Sequence, residues 1–221
     1  MSRDLALERR PARSVARRRP LKRAFDIVVA AIALLLLSPL FALVALAVAI
    51  DSPGPVLFGQ PRVGLDGRIF TIWKFRSMID RPHDTAVCVQ DDPRVTRVGR
   101  VLRRTFVDEL PQLWNVLRAE MSIVGPRPES PVYVSRYRPD ELRVLEVRPG
   151  MAGPSTLRFS ADEAEILARA DDPERFYVDV LLHERVAADL TYVDNVSVWS
   201  DLRILLGTLW QCVRAACGGG K

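Results

Sequence analysis

The longest apolar run in the chain, Ile27–Ile50, holds 22 apolar residues out of 24 and is interrupted only by Ser38 and Pro39. As one straight helix it would be ~36 Å long, enough to cross a hydrocarbon layer of ~30 Å. Pro39 argues for another geometry. It lacks the N–H that would bond the carbonyl of Leu35, and its ring clashes there. The Ser38 hydroxyl can bond back to a carbonyl one turn earlier, which also bends helices. The break leaves two arms of 11 apolar residues, each ~16 Å long. That length suits a segment that enters one leaflet and turns back.

Downstream, Ser52-Pro53-Gly54-Pro55 breaks the helix. Val56–Gln60 and Ile69–Phe75 read as short strands joined by Gly64-Leu65-Asp66-Gly67. Arg81–Pro93 is polar and reads as a surface loop. Val98–Phe106 and Leu110–Ala119 read as helices with Asp108-Glu109 between them and Pro111 in a first-turn position. Gly125-Pro126-Arg127-Pro128 is a rigid loop, followed by short helices at Pro131–Tyr137 and Asp140–Glu146 and by Arg148-Pro149-Gly150. Ser155–Phe159 reads as a strand, and Asp162–Arg169 and Leu181–Asp194 as helices. Asp201–Ala216 is an amphipathic helix with Leu202, Leu205, Leu206, Leu209 and Val213 on one side, facing either the core or a bilayer interface.

Charge sharpens the picture at the N-terminus. Residues 1–23 carry nine basic groups against Asp4 and Glu8, leaving 23 basic against 25 acidic residues in the rest. The net charge of +5 therefore reports a basic arm, which points to a membrane surface or topology signal more than to a nucleic-acid-binding face. Arg62, Arg68, Lys74 and Arg76 follow the apolar run. The positive-inside bias places both flanks in the cytoplasm, which a re-entrant hairpin allows and a single span does not. Export is the competing reading: Arg18-Arg19-Pro20-Leu21-Lys22 resembles a twin-arginine signal, and Ala47-Val48-Ala49 could be a cleavage site. The apolar stretch is, however, far longer than the usual ~7–15 residues of a signal core.

Three cysteines and two histidines among 221 residues make a disulfide framework, a histidine zinc site and a Ser-His-Asp triad poor readings. No Walker A or GxGxxG pattern follows a strand. The remaining chemistry is acidic and basic. Asp108 and Glu109 sit at a predicted helix start, where N–H groups and the helix dipole favour ionised carboxylates. Neighbouring helical side chains diverge by ~100°, so one acid could attack while the other handles a proton or a metal. The plainer alternative is a pair of solvated first-turn acids. Lys74, Arg103 and Arg127, the last locked between two prolines, suit a diphosphate with a divalent metal near paired carboxylates. Each could equally be a surface charge.

These segments, in order, resemble the bacterial sugar transferases, the monotopic polyprenyl-phosphate phosphoglycosyl transferases. The resemblance is carried by Lys22-Arg23-Ala24-Phe25-Asp26, Ser38-Pro39, Gly54-Pro55-Val56-Leu57-Phe58 and Trp73-Lys74-Phe75-Arg76-Ser77-Met78. It continues through Asp108-Glu109-Leu110-Pro111-Gln112-Leu113-Trp114-Asn115, Ser122-Ile123-Val124-Gly125-Pro126-Arg127-Pro128 and Arg148-Pro149-Gly150. It implies an α+β, mostly helical fold: a re-entrant membrane helix-break-helix and a small cytosolic catalytic domain with a short β-hairpin and amphipathic surface helices. The implied division is a basic arm (1–21), a re-entrant helix broken at Ser38-Pro39 (22–51), a catalytic domain (52–217) and a disordered tail (218–221).

The resemblance further implies transfer of a sugar 1-phosphate from a UDP-sugar to undecaprenyl phosphate, with Mg2+ and release of UMP, at the cytoplasmic face of the bacterial inner membrane. It makes Asp108 the nucleophile that carries the phosphosugar, and Glu109 the helper that takes a proton or holds the metal with it. Lys74, Arg103 and Arg127 match phosphate-contacting positions, and Asp189 matches a late acidic position of the same group. Partners are the two substrates and inner-membrane lipid, with no nucleic acid; a homodimer is left open. Met151–Phe159 departs from the Thr-Gly-Trp stretch of many members, which leaves the sugar open. The 26 residues before the apolar run read as the minimal form of the family.

Overall fold

The computed structural model describes residues 20–79, 92–159 and 162–216. The basic arm through residue 19, most of the loop expected over Arg81–Pro93 and the C-terminal tail lie outside the described residues. Helices α1 (Pro20–Leu36) and α2 (Ser38–Asp51) are bent from one another by 62°. The bend has the expected cause. Pro39 leaves the Leu35 carbonyl without its helical donor, and Ser38 Oγ donates to that oxygen at 2.8 Å. No single described helix is long and apolar enough to cross a membrane, whereas the bent pair together passes by length and composition.

Both ends of the bent pair return to one domain. At the start of α1, Arg23 Nη1 and Nη2 donate to the carbonyls of Val116 and Leu117 at 2.7 and 3.0 Å. One turn on, the buried Asp26 accepts from Ser122 Oγ and the Ile123 N–H, each at 3.1 Å. At the end of α2, Arg76 Nη2 donates to the carbonyls of Ser52 and Val48 at 2.6 and 3.3 Å, satisfying orphan groups of the last turn. Gly54, at φ +117°, makes room for this, since a Cβ there would lie 2.5 Å from the Arg76 guanidinium.

Strands β1 (Leu57–Val63) and β2 (Ile69–Phe75) form an antiparallel hairpin with Leu57 opposite Phe75. Its turn uses left-handed Asp66 and Gly67, at φ 57° and 76°. β1 runs past the expected end at Gln60 and through Pro61, because a two-stranded ribbon has an outer edge where no ladder donor is needed. Next come α3 (Arg97–Thr105), a 3-10 turn (Val107–Glu109), α4 (Gln112–Leu117), β3 (Ser122–Val124) and α5 (Pro131–Val134). After a 3-10 segment (Glu141–Glu146), β4 (Gly150–Ala152) pairs in parallel with β3. The chain closes with α6 (Pro154–Phe159), α7 (Glu163–Ala168), α8 (Pro173–Phe176), a π turn (Tyr177–Leu181), α9 (Leu182–Asp194) and α10 (Val198–Ala216). The described fold is thus mostly helical α+β with two two-stranded sheets.

One element differs in kind. Ser155–Phe159, expected as a strand, lies in helix α6. Pro154 opens that helix, and Asp189 of α9 accepts from the Ser155 N–H and Oγ at 3.0 and 2.8 Å. A remote acid thus caps a first turn that no local residue caps.

The main core gathers Ala30 of α1 with Ile72, Val116, Met121, Ile123, Tyr192 and Ile204. A second cluster packs Val44 and Val48 of α2 on Phe75 and Leu102. The two faces left open for α10 are resolved. Ile204 enters the core and Leu205 packs against it, whereas Leu202, Leu206, Leu209 and Val213 stay exposed beside Trp199 and Trp210. Replacement of Asp26 by Ala strands the Ile123 N–H and Ser122 hydroxyl and removes the α1 anchor. The expected cost is about 2 kcal/mol, read as a lower unfolding midpoint in detergent; an unchanged midpoint refutes the anchor.

Candidate active site

The 3-10 turn that carries Asp108 and Glu109 exists because α3 stops abruptly. Phe106 takes a left-handed conformation (φ 59°, ψ 14°), and its N–H bonds back to the α3 carbonyls of Arg103 and Leu102. A bulky residue pays roughly 1–2 kcal/mol for that backbone. The reversal turns Val107 onto the α2 side, where it packs with Val44 and Phe75, and buries Asp108 to 6% exposure.

Strand β2 approaches from the other side. Asn115 of α4 is wholly buried, donates to the Thr71 carbonyl at 2.7 Å and accepts the Trp73 N–H at 3.3 Å. The strand edge is thereby pinned to α4. Lys74, the next residue, then reaches Glu109, with Nζ to Oε1 at 2.6 Å.

The third wall is the loop after β3. Gly125 and Gly150 lie so close that a Cβ on Gly150 would stand 2.0 Å from the Gly125 nitrogen. The Gly150 N–H donates to Pro126 and the Gly125 N–H to Ala152, at 2.8 and 2.9 Å. Asp189 Oδ2 accepts the Arg127 N–H at 2.9 Å. The expected phosphate-contacting set thus divides. Lys74, Arg103 and Arg127 converge electrostatically on the acid pair, while the carboxylate of Asp189 is spent on Arg127 and Ser155 from behind.

The two acids sit in opposite electrostatic states. Burial, followed by the charge of Glu109, pushes Asp108 up to about 6, against the pull of Lys74 and Arg103. This differs from the ionised first-turn pair read from sequence, because desolvation outweighs the turn's N–H groups. Burial also works against Glu109, but Lys74 and Arg127 overcome it and hold that carboxyl down to about 2. Burial lifts Asp189 to about 6, opposed by its bonds from Ser155 and Arg127. Arg127 is raised by Glu109, Glu163 and Glu129 in spite of its burial.

Sequence reasoning missed three members. The Gln112 amide approaches Glu109 without reaching hydrogen-bond geometry; its place three residues on from Glu109 was a usable signal. Arg62, read only as a flanking charge, faces Glu129 at 3.9 Å and adds positive potential near Glu109. Asn115 carries no chemical signature at all. Paired carboxylates, one firmly ionised, among fixed cations are the donor types that could hold a diphosphate with a hard divalent cation. Mg2+ commonly takes one or two carboxylates plus substrate phosphates. Among the described residues, no group of three or more His, Cys, Asp or Glu side chains forms a metal cage.

A family model described as bacterial sugar transferase matches residues 17–215. The UDP-glucose:undecaprenyl-phosphate glucose-1-phosphate transferase of Escherichia coli K12 is 42% identical over 202 residues, covering 87% of this chain and 40% of that protein. A protein of the same name from Caulobacter vibrioides is 42% identical over 193 residues, covering 85% and 68%. The exopolysaccharide production protein PSS of Rhizobium leguminosarum is 41% identical over 198 residues, covering 86% and 93%. The chain therefore spans about two fifths of the length of the E. coli relative.

Because its carboxyl is raised, Asp108 keeps a proton in the folded chain that the unfolded chain has released between pH about 4 and 6. Stability therefore falls as pH rises through that window. Above it, ionised Asp108 costs up to about 3 kcal/mol. Asp108→Asn should raise the unfolding midpoint at pH 7.5 in chelator, with the gain gone below pH 4. A variant no more stable than the parent at pH 7.5 refutes the strained carboxylate.

Proposed function

Since this chain belongs to the bacterial sugar transferase family, we propose that it transfers a sugar 1-phosphate from a UDP-sugar to undecaprenyl phosphate and releases UMP. The observation that carries this reading is the convergence of Lys74, Arg103 and Arg127 on adjacent Asp108 and Glu109. The names of the relatives supply the substrate class and make UDP-glucose the first donor to test.

The ionised form of Asp108 attacks the sugar-linked phosphorus. A bond forms from the carboxylate oxygen to phosphorus, the bond to the bridging oxygen breaks, and UMP departs with the electron pair. Undecaprenyl phosphate then attacks the acyl phosphate through a phosphate oxygen. The aspartyl bond breaks, Asp108 returns as a carboxylate, and the product is a lipid diphosphosugar. Lys74, Arg103 and Arg127 offset the repulsion between carboxylate and diphosphate and stabilise charge as it moves to the leaving group. Glu109, held ionised by Lys74 and Arg127, is too weak a base to take the proton of the lipid phosphate and acts as a fixed anionic ligand beside Asp108. Asp108 and Glu109 would hold Mg2+ together with substrate oxygens. The ion would supply further neutralisation of phosphate charge. Asp189 orients the Arg127 backbone and is a positioning residue.

Membrane seating follows the same reading. The bent α1–α2 pair dips into the cytoplasmic leaflet of the inner membrane as a re-entrant hairpin, bringing the domain to headgroup level where the lipid phosphate lies. The exposed apolar face of α10 rests on the same interface.

Incubation with UDP-sugar labelled at the sugar-linked phosphate, without lipid acceptor, should trap label on the parent chain and release UMP. Asp108→Ala should trap none and lose at least ~1,000-fold in turnover; wild-type turnover in that variant would falsify the covalent route. In a chain whose three native cysteines are replaced, single cysteines at the exposed positions 24 and 55 should both resist a membrane-impermeant thiol reagent in intact spheroplasts and react once the membrane is permeabilised. Labelling from opposite sides refutes the re-entrant seat and leaves the chemistry standing.

A further inference from the structure

A second cluster of cations lies away from the acid pair, where α1 begins. Lys22, Arg23, Asp26, Arg148 and Tyr192 line a cavity of about 40 Å³. The acids beside it are engaged. Asp26 accepts from Ser122 and Ile123, and Asp201 accepts from Lys22 Nζ and from the Tyr192 hydroxyl, both at 2.7 Å. The cations keep donors to spare. Arg23 uses one N–H from each terminal nitrogen on Val116 and Leu117, while Arg148 donates through Nε to the Ala119 carbonyl at 3.0 Å. Its terminal nitrogens have no hydrogen-bond partner among the described residues. The two guanidiniums also repel. Burial first, and then the charge of Arg148, holds Arg23 below its ordinary value. An anion seated between them would relieve that repulsion.

The surroundings say what kind of anion. Leu21, Phe25 and Val28 of α1 are 86%, 48% and 54% exposed, and Val198 and Trp199 at the start of α10 are 81% and 78% exposed. The Lys22–Asp201 pair ties the starts of α1 and α10 together beside the cavity. A charged cleft bordered by greasy, solvent-facing side chains matches a phosphate that carries acyl chains better than a free ion. Exposed tryptophan beside cations is also the pattern of a membrane interface.

We infer that the cleft between the start of α1 and Arg148 is a binding site for the phosphate of an anionic phospholipid headgroup, with the acyl chains running along the exposed face of α1. A phosphatidylglycerol headgroup brings a phosphate without a second cation. A choline headgroup brings its own positive charge beside Lys22, Arg23 and Arg148, and binds less well. The inference rests on the membrane seating proposed above and is independent of the transfer chemistry.

Native mass spectrometry of the full chain, released from mixed phosphatidylglycerol and phosphatidylcholine nanodiscs, tests it. The parent should retain phosphatidylglycerol preferentially. Lys22→Gln and Arg148→Gln should each cut that preference about five-fold, as expected for one removed cation near a lipid surface. Arg148→Lys, which keeps the charge, should retain most of it, and unfolding midpoints identify any variant that fails to fold. Inorganic phosphate at millimolar concentration should compete with the lipid. Equal retention of both lipids by the parent, an unchanged preference in folded Lys22→Gln and Arg148→Gln, or phosphate binding that displaces no lipid would each overturn the site. UMP release from the same samples separates the readings. Lipid preference without turnover counts against the transfer reaction alone, and turnover without lipid preference counts against this site alone.

Discussion

A proline in the middle of an apolar helix governs the architecture. Without an N–H at Pro39 the helix cannot continue straight, and the Ser38 hydroxyl takes the orphaned Leu35 carbonyl. The resulting 62° bend lets both ends of one segment reach the same domain. Arg23 and Asp26 grip at the start, and Arg76 grips at the end. A straight helix would point its second arm away from the domain face and could use only one set of these bonds. The bend thus converts a length sufficient for crossing into a two-point clamp, and the domain core is built partly from the clamp itself, through Ala30 at one end and Val48 at the other.

The acid pair is assembled against local preference, and its surroundings explain how it survives. Phe106 is held left-handed, and Asp108 is buried beside a second carboxylate. Neither would persist in a flexible loop. Phe106 is over-determined by its bonds to the end of α3, and the acid pair by cations from three separate elements. Conformational strain and a carboxyl shifted by burial at the same turn are marks of a functional site. The stability lost there is recovered in clusters on either side, where Val107 and Leu113 pack.

Much of this was legible in the sequence, for identifiable reasons. The bend was readable because proline chemistry is local, and the hairpin because its turn glycines and alternating strands are local too. The acid pair stood out by adjacency, and Arg127 by its flanking prolines. What escaped depends on partners far along the chain. Ser155 starts a helix because Asp189, 34 positions on, accepts its N–H. β3 and β4 are three residues each, too short to show a period, and pair because two glycines permit backbone contact. Asp189 looked like a site acid, since its position reveals charge but not direction; its oxygens point at backbone and hydroxyl donors. Asn115 gave no hint, because a buried amide joining strand to helix has no pattern that a single sequence can display.

Strand β2 connects the bent α1–α2 pair to the acid pair. Successive strand residues face opposite sides, and here the alternation falls on three residues with different tasks. Trp73 is fixed by Asn115 through its N–H. Lys74 turns to Glu109. Phe75 turns the other way and packs tilted against Phe41 of α2, with ring centroids 5.4 Å apart. Arg76 then reaches back to the end of α2. A displacement of α2 cannot leave Lys74 in place, because one short, extended segment carries both contacts, and a shift of 1 Å at Lys74 would lengthen its 2.6 Å pairing with Glu109 beyond hydrogen-bond range. Glu109 would then lose its hydrogen bond from Lys74 and rely on Arg127, so the electrostatic asymmetry between the two acids would narrow. The position of α2 and the geometry of the acid pair are therefore linked through one strand.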